Sequence, residues 1–264
     1  MSALAGLPPE FVAAWLALAA GLGACFGSFA NVLIHRLPRD LSVVRPRSRC
    51  PGCGHAVRPR DNVPVLSWLL LRGRCRDCGA RIAVRYPLVE AVGAAAGVVA
   101  LLRFGPGAPA LAALLYLVAL LAIALIDWEF MIIPHTLTIG GMVAGLALAA
   151  WSPVGLRGAL LGGALGAGLV LGLSRGYRLI RGADGMGGGD VMLMGMVGVF
   201  AGAWGALAVL FGGALLGTGY ALARYRTTLA GKTRLPFGTF LAAAAAGLCL
   251  AGDGPLRWYL ALLR

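Results

Sequence analysis

The stretch "ALLYLVALLAIALIDWEF", residues 113–130, indicates the class of fold. The apolar run starts at Ala110, and the seventeen residues from there to Ile126 carry no charged side chain before Asp127. A transmembrane α-helix needs about 20 predominantly apolar residues, with a range of about 17 to 25. The stretch therefore predicts a membrane-spanning helix that carries a carboxylate at one end.

The rest of the chain repeats this apolar pattern. Of 264 residues, 59% are hydrophobic and 12% are charged, and the mean hydropathy is +0.85, which is far outside soluble composition. About eight apolar segments start near Phe11, Pro87, Ala110, Ile132, Gly155, Val191, Gly205 and Phe237. We expect an all-α polytopic membrane protein with an N-terminal transmembrane helix (1–34), a cytoplasmic loop (35–86) and a transmembrane body (87–264).

The positions of Lys and Arg indicate the orientation, because short loops rich in these residues stay on the cytoplasmic side. With the N-terminus outside, loops 35–86, 175–189 and 223–235 lie inside and hold nineteen of the 23 basic residues. The other four are Arg103, Arg157, Arg257 and Arg264. No basic residue precedes the first apolar segment, so a cleaved signal peptide is not expected.

The net charge of +13 at pH 7 has two possible explanations. A basic patch for RNA or DNA is one of them. The topology already accounts for these charges, however, so we expect the lipid bilayer as a partner and no nucleic acid.

Four cysteines in the loop have the spacing of metal ligands. Cys50 and Cys53 form one C-x2-C pair, Cys75 and Cys78 form another, and 21 residues separate the pairs. Such pairs suit tetrahedral zinc. Disulfides are the alternative, but they are rare in a reducing cytoplasm. We expect a structural zinc ion that stabilises a loop with little apolar core of its own.

Two carboxylates, Asp127 and Asp190, occupy unusual positions in the predicted topology. Asp127 closes the third apolar segment and Asp190 opens the sixth, so both are predicted at the cytoplasmic face. Ionisable groups at hydrocarbon are costly and usually functional. Two carboxylates held close together share a proton, which suits an aspartic peptidase, in which one acts as base and the other as acid.

Three glycines, Gly187, Gly188 and Gly189, directly precede Asp190. Lacking side chains, they would let an extended substrate backbone approach. Asp190 could instead be a helix N-cap, a role that aspartate fills well. A proton-coupled transporter that uses Asp127 and Asp190 is a further alternative.

Several motifs in combination resemble the bacterial type IV prepilin peptidases, the leader peptidase/N-methyltransferases of the G-x-G-D class of membrane aspartic proteases. Besides the four cysteines and Asp127, the matching elements are "GSFANVLIHRLP" (27–38), "NVPVLSWLLLRGRC" (62–75), "RYPLVE" (85–90), "IP" (133–134), "GMGGGD" (185–190) and "PFG" (236–238).

The resemblance implies a bacterial inner-membrane enzyme that cuts the leader from type IV prepilins or type II secretion pseudopilins on the cytoplasmic side. The catalytic aspartates of the family correspond to Asp127 and Asp190. The resemblance also implies methylation of the new N-terminus with S-adenosylmethionine, an activity associated with loop 35–86. A peptidase without methyltransferase activity remains an alternative, since the loop contains no G-x-G-x-x-G cofactor motif.

The chain departs from the family pattern at three positions near the motifs. Met192 stands where Lys is common two residues after the second aspartate, His135 stands where Asp often follows "IP", and Thr239 stands where Pro usually follows "PFG". Both aspartates are present, so the resemblance still implies the peptidase activity.

Overall fold

A computed structural model describes residues 8–182, 185–224 and 235–252. Within these ranges every regular element is a helix and there is no β-strand, which confirms the all-α prediction. The α-helices are α1 (Pro9–Arg36), α2 (Leu66–Leu70), α3 (Arg85–Phe104), α4 (Ala108–Phe130), α5 (His135–Leu148), α6 (Gly155–Arg181), α7 (Gly188–Arg224) and α8 (Phe237–Ala251).

Five of these helices are long and apolar enough to cross a membrane, namely α1, α3, α4, α6 and α7. The shorter helices α5 and α8 are also apolar. The prediction of a multi-pass membrane protein is therefore confirmed. The basic residues Arg226, Lys232, Arg234, Arg257 and Arg264 lie outside the described residues, so the orientation stays a prediction.

The sixth and seventh predicted segments both lie in α7. The helix is interrupted between them at one residue, Gly202, whose φ of 70° and ψ of −176° are not helical. Glycine adopts positive φ without the steric cost that side chains impose. In the described residues the eight apolar segments thus correspond to seven apolar helices, one of which is broken at Gly202.

One compact unit, residues 1–118, contains α1, the cysteine loop, α3 and the first part of α4. Helices α1 and α3 touch along their backbones, since a Cβ atom on Gly27 would lie 2.8 Å from the carbonyl oxygen of Val89. Small residues permit such close packing in membranes. This contact brings the C-terminal end of α1 next to the N-terminal end of α3. There Asn31 Nδ2 donates to the carbonyl oxygen of Tyr86 at 3.1 Å.

The other compact unit, residues 119–264, contains the end of α4 and helices α5 to α8. Helices α6 and α7 are in backbone contact, since a Cβ atom on Gly162 would lie 2.7 Å from Gly202 Cα. Helices α5 and α8 pack against α7. Pro134 and Pro236 directly precede α5 and α8, as suits residues that cannot continue a preceding helix. These two prolines position the turns that approach Asp127 and Asp190.

Candidate active site and metal centre

Asp127 lies near the C-terminal end of α4 with only 4% of its surface exposed. The first turn of α8 supplies its hydrogen bonds. The backbone N–H of Thr239 donates to Asp127 Oδ2 at 2.7 Å, and Thr239 Oγ1 donates to the same oxygen at 3.2 Å. A buried carboxylate is therefore held by two donors from one residue, which compensates part of its desolvation.

Thr239 also ties the two helices together. Its hydroxyl lies 3.0 Å from the carbonyl oxygen of Ala124, one turn before Asp127. The preceding Gly238 allows this approach, because a Cβ atom there would lie 3.0 Å from Asp127 Oδ2. The "PFG" motif thus brings the start of α8 against the end of α4 and orients the Asp127 carboxylate.

Asp190 lies in the first turn of α7. The helix begins at Gly188, so Asp190 is its third residue and not its N-cap. The backbone N–H of Gly187 donates to Asp190 Oδ2 at 3.0 Å, and the N–H of Asp190 donates to the carbonyl oxygen of Gly187 at 3.2 Å. The alternative interpretation that Asp190 is the N-cap is therefore wrong. Its side chain instead accepts a hydrogen bond from the N–H of Gly187, the residue before the helix, as the third helical residue of a capping box does.

Ile133 connects the segments that carry the two aspartates. A Cβ atom on Gly189 would lie 2.8 Å from Ile133 Cβ, and a Cβ atom on Gly238 would lie 3.0 Å from Ile133 Cγ1. The structure therefore brings together the end of α4, the segment before α5 and the first turns of α7 and α8.

The three glycines before Asp190 differ in their surroundings. A Cβ atom on Gly188 would meet none of the described residues within 4 Å, and one on Gly187 would lie an ordinary 3.7 Å from Asp190 Oδ2. Gly189 instead packs against Ile133. Of these three glycines, Gly187 and Gly188 therefore leave room for a Cβ atom beside Asp190 among the described residues. Position 189 requires glycine, because a Cβ atom there would be too close to Ile133.

Met192 and His135, two of the departures from the family pattern, are both exposed. Met192 lies two residues after Asp190 and shows 37% of its surface. His135 is the first residue of α5. The third departure, Thr239, is the residue that holds Asp127.

The four cysteines meet in one cluster. The Sγ atoms of Cys50, Cys53, Cys75 and Cys78 all lie within 4.8 Å of one another. Cys50 Sγ and Cys78 Sγ are 3.7 Å apart. Four sulfur atoms at this spacing could together hold one metal ion. His55 is not a member of the cluster.

Two similar turns build the metal site. The N–H of Cys50 donates to the carbonyl oxygen of His55 at 2.9 Å, and the N–H of Cys75 donates to that of Ala80 at 2.8 Å. An isolated β-bridge flanks each turn, between Arg49 and Ala56 and between Arg74 and Arg81. Each C-x2-C pair therefore sits at the tip of a short hairpin and presents two sulfurs to the shared centre.

The surroundings of Cys50 favour its thiolate, which is the form that binds a metal. Backbone hydrogen bonds from Cys53 and Gly52 lower the pKa of the Cys50 thiol to about 7, so a larger share is thiolate at neutral pH. Two ion pairs brace the loop, from Arg76 to Asp61 at 2.7 Å and from Arg58 to Asp77 at 2.8 Å. The hydrogen bonds from Arg76 hold the pKa of Asp61 below its usual value.

Two roles were missed by sequence reasoning. Thr239 was identified only as a departure from a pattern, and Ile133 only as part of "IP". Their function as hydrogen-bond donor and packing centre depends on contacts across more than fifty residues. The sole sequence signal was the presence of "IP" and "PFG" beside the aspartate motifs.

Two family models match the chain. The Bacterial Peptidase A24 N-terminal domain matches residues 22–104, and the Type IV leader peptidase family matches residues 114–222. The first range contains all four cysteines and the second contains Asp127 and Asp190. No solved structure matches the chain.

Three similar proteins each bear the name prepilin leader peptidase/N-methyltransferase. The one from Myxococcus xanthus is 45% identical over 184 residues, which are 68% of this chain and 54% of that protein. The one from Burkholderia pseudomallei (strain 1026b) is 37% identical, covering 96% of this chain and 89% of that protein. The one from Stutzerimonas stutzeri is 36% identical, covering 97% and 99%. With matches of this extent and both family models, the chain belongs to the type IV leader peptidase family.

Proposed function

We propose that this protein removes the leader peptide of type IV prepilins or type II secretion pseudopilins and then methylates the new N-terminal residue. The observation that carries the proposal is that Ile133 lies against both Gly189, the neighbour of Asp190, and Gly238, which approaches Asp127 Oδ2, in a chain of this family. Relatives named prepilin leader peptidase/N-methyltransferase along nearly the full chain support both activities.

Asp127 and Asp190 form the catalytic pair in this proposal. The ionised member takes a proton from water as the water attacks the peptide carbonyl, and the protonated member gives its proton to the carbonyl oxygen. As the C–N bond breaks, the first member passes the proton from water to the leaving amine, and the second recovers its proton from the hydroxyl that becomes the new carboxyl group. Each aspartate has its Oδ2 held by backbone, through Thr239 or Gly187. We assign the Oδ1 atoms of both aspartates to water and substrate, because the hydrogen bonds from Thr239 and Gly187 are made to Oδ2.

Gly187 and Gly188 form the approach for the substrate backbone. Both border open space next to Asp190, and an extended peptide there would reach the carboxylate without meeting a side chain. Gly189 supports the same site by letting the first turn of α7 rest on Ile133.

The metal of the four-cysteine cluster is zinc in this proposal. A tetrahedral zinc ion with Zn–S bonds of about 2.3 Å needs sulfur atoms about 3.8 Å apart, and Cys50 Sγ and Cys78 Sγ are 3.7 Å apart. A closed four-thiolate site leaves no position for substrate, so its role is structural.

S-adenosylmethionine supplies an electrophilic methyl group for transfer to the new N-terminal amine. A groove of about 370 Å³ in the loop region has a lining that fits parts of this donor, in the size range of small-molecule sites. Phe29 and Arg47 both line the groove. Phe29 offers an aromatic face for adenine, and Arg47 offers a guanidinium for the carboxylate. Arg36 shapes the groove by donating to the carbonyl oxygens of Ser42 and Pro46.

We further propose the bacterial inner membrane as the location, with loop 35–86 and the aspartate pair at the cytoplasmic face. The excess of basic residues in the loops assigned to this side supports the orientation. In this division, residues 1–34 anchor the chain, the loop serves methylation and residues 87–264 perform the cleavage.

Mass spectrometry of a prepilin incubated with the purified enzyme tests the function. We expect a product shortened by the leader, and a further gain of about 14 mass units only when S-adenosylmethionine is added. Cleavage without that gain in mass would support a peptidase without methyltransferase activity. Solute flux in proteoliposomes without cleavage would instead support a proton-coupled transporter.

A further inference from the structure

Helix α2 exposes three leucines in the middle of the polar loop. Leu66, Leu69 and Leu70 are 58%, 57% and 83% exposed. Together they form the leucine face of α2. A contiguous apolar surface of this kind in a polar segment marks a contact with another apolar phase or partner.

The leucine face is held outward by the other side of α2. Ser67 is buried, accepts a hydrogen bond from the N–H of Val63 at 2.9 Å and donates to the carbonyl oxygen of Arg60 at 3.2 Å. Trp68 Nε1 donates to the carbonyl oxygen of Ile82 at 3.1 Å. These bonds fix the rotation of the helix, so Leu69 and Leu70 cannot turn inward without breaking them.

A hydrogen bond places α2 beside the start of a membrane-spanning helix. The N–H of Val65, directly before α2, donates to Glu90 Oε2 at 2.7 Å. Glu90 lies five residues into α3, about 7 Å along the axis from Arg85, and helical side chains lean toward the N-terminus. Val65 is therefore near the level of the first turn of α3, where the bilayer meets water.

The surrounding charge is complementary to anionic lipid. Loop 35–86 holds twelve arginines against three aspartates and has no lysine or glutamate. Two of the aspartates, Asp61 and Asp77, are already paired with arginines. Arg72 and Arg74 directly follow the leucine face and are exposed. Arginines near a leaflet surface favour anionic headgroups.

We propose that α2 is an interfacial membrane anchor of the metal-binding loop. The leucine face inserts among the acyl chains of the leaflet next to the start of α3, and Arg72 and Arg74 contact anionic headgroups. The bond between Val65 and Glu90 sets the depth. This contact holds the four-cysteine loop against the bilayer independently of the aspartate pair.

A photoreactive benzophenone side chain at position 70 tests the anchor. The full chain is placed in nanodiscs of phosphatidylethanolamine with phosphatidylglycerol, irradiated and digested, and the peptides are weighed. The same probe at His55, whose side chain is 71% exposed on a metal-binding turn, is the matched control. We expect lipid adducts at position 70 and few at position 55.

The identity of the crosslinked lipid tests the arginines. We expect an excess of phosphatidylglycerol adducts of about two- to fivefold over its share of the nanodisc, and loss of this excess in the Arg72→Gln/Arg74→Gln variant. Equal lipid adducts at both probe positions would overturn the proposal. So would crosslinks from position 70 to an added prepilin, to a second copy or to another part of the chain in place of lipid.

Discussion

Thr239 donates two hydrogen bonds to one oxygen of Asp127, from its backbone N–H at 2.7 Å and from its hydroxyl at 3.2 Å. The hydroxyl has one proton, which it shares between Asp127 Oδ2 and the carbonyl oxygen of Ala124, 3.0 Å away on the same helix. Since Asp127 is 4% exposed, few water molecules can replace these donors. Thr239 is therefore a positioning residue for the carboxylate that we assign to catalysis.

Replacing Thr239 by Val removes the hydroxyl and keeps the shape and the backbone N–H. A hydrogen bond to a charged group contributes about 1.5 to 3 kcal/mol, so we expect kcat for prepilin cleavage to fall about tenfold. KM should change little, because the hydroxyl is engaged with Asp127 and Ala124. Steady-state kinetics on a prepilin peptide measure both constants.

Thr239→Ser is the control for this prediction, because it keeps the hydroxyl and removes only a methyl group. It should retain most of the activity. If Ser loses as much activity as Val, packing and not hydrogen bonding determines the role of Thr239.

Replacing either aspartate by Asn should abolish cleavage. Asp127→Asn and Asp190→Asn keep the side-chain volume and remove the group that accepts the proton, so we expect a loss of at least about a thousandfold. Gel mobility of the prepilin after incubation measures cleavage, and membrane yield shows that the variants insert normally.

Glu129→Gln is the matched control for the aspartate variants. Glu129 lies two residues after Asp127 at the same helix end and is exposed. Full cleavage by Glu129→Gln with none by Asp127→Asn would assign the effect to Asp127. Substantial cleavage by either aspartate variant contradicts the dyad.

Two neighbouring glycines should respond differently to alanine. In Gly189→Ala the new Cβ would lie 2.8 Å from Ile133 Cβ, so the first turn of α7 must shift and move Asp190. We expect cleavage to fall about tenfold or more, with a lower thermal unfolding temperature, because a misplacement of 1 Å can cost on the order of a hundredfold.

In Gly188→Ala the new methyl group meets nothing within 4 Å. Stability should therefore be kept or slightly raised, since Ala is the better helix former. If the substrate backbone passes this position, KM rises several-fold while kcat changes less. Gly172→Ala in α6, which also has open space, should change neither constant. A normal KM for Gly188→Ala would contradict the proposal that the substrate backbone passes Gly188.

The metal site predicts about one zinc ion per chain in reduced protein. Cys50→Ser with Cys53→Ser removes one hairpin's ligands, and we expect the zinc to be lost and loop 35–86 to become sensitive to protease. Elemental analysis and limited proteolysis measure these outcomes. Cys25→Ser, outside the cluster, should keep the metal. An absence of zinc from freshly reduced wild-type protein contradicts the assignment.

Local patterns were sufficient for much of the fold. Apolar runs such as 110–126 predicted membrane helices because helices satisfy their own backbone groups in lipid. The C-x2-C pairs predicted a metal cluster because each pair lies within one turn. From the sequence, the break at Gly202 within one helix cannot be distinguished from a loop between two helices, since glycine and small residues lie between apolar runs in both cases.

The sequence by itself determined the apolar segments, the four-cysteine spacing and the presence of two carboxylates at helix ends, because these depend on neighbouring residues. Only the tertiary structure decided that Thr239 holds Asp127 and that Ile133 lies against both Gly189 and Gly238. Those contacts join residues 50 to 115 positions apart, and no periodic pattern specifies them. They arise from how the ends of α4, α7 and α8 pack together, and this packing supports the proposed pairing of the two aspartates.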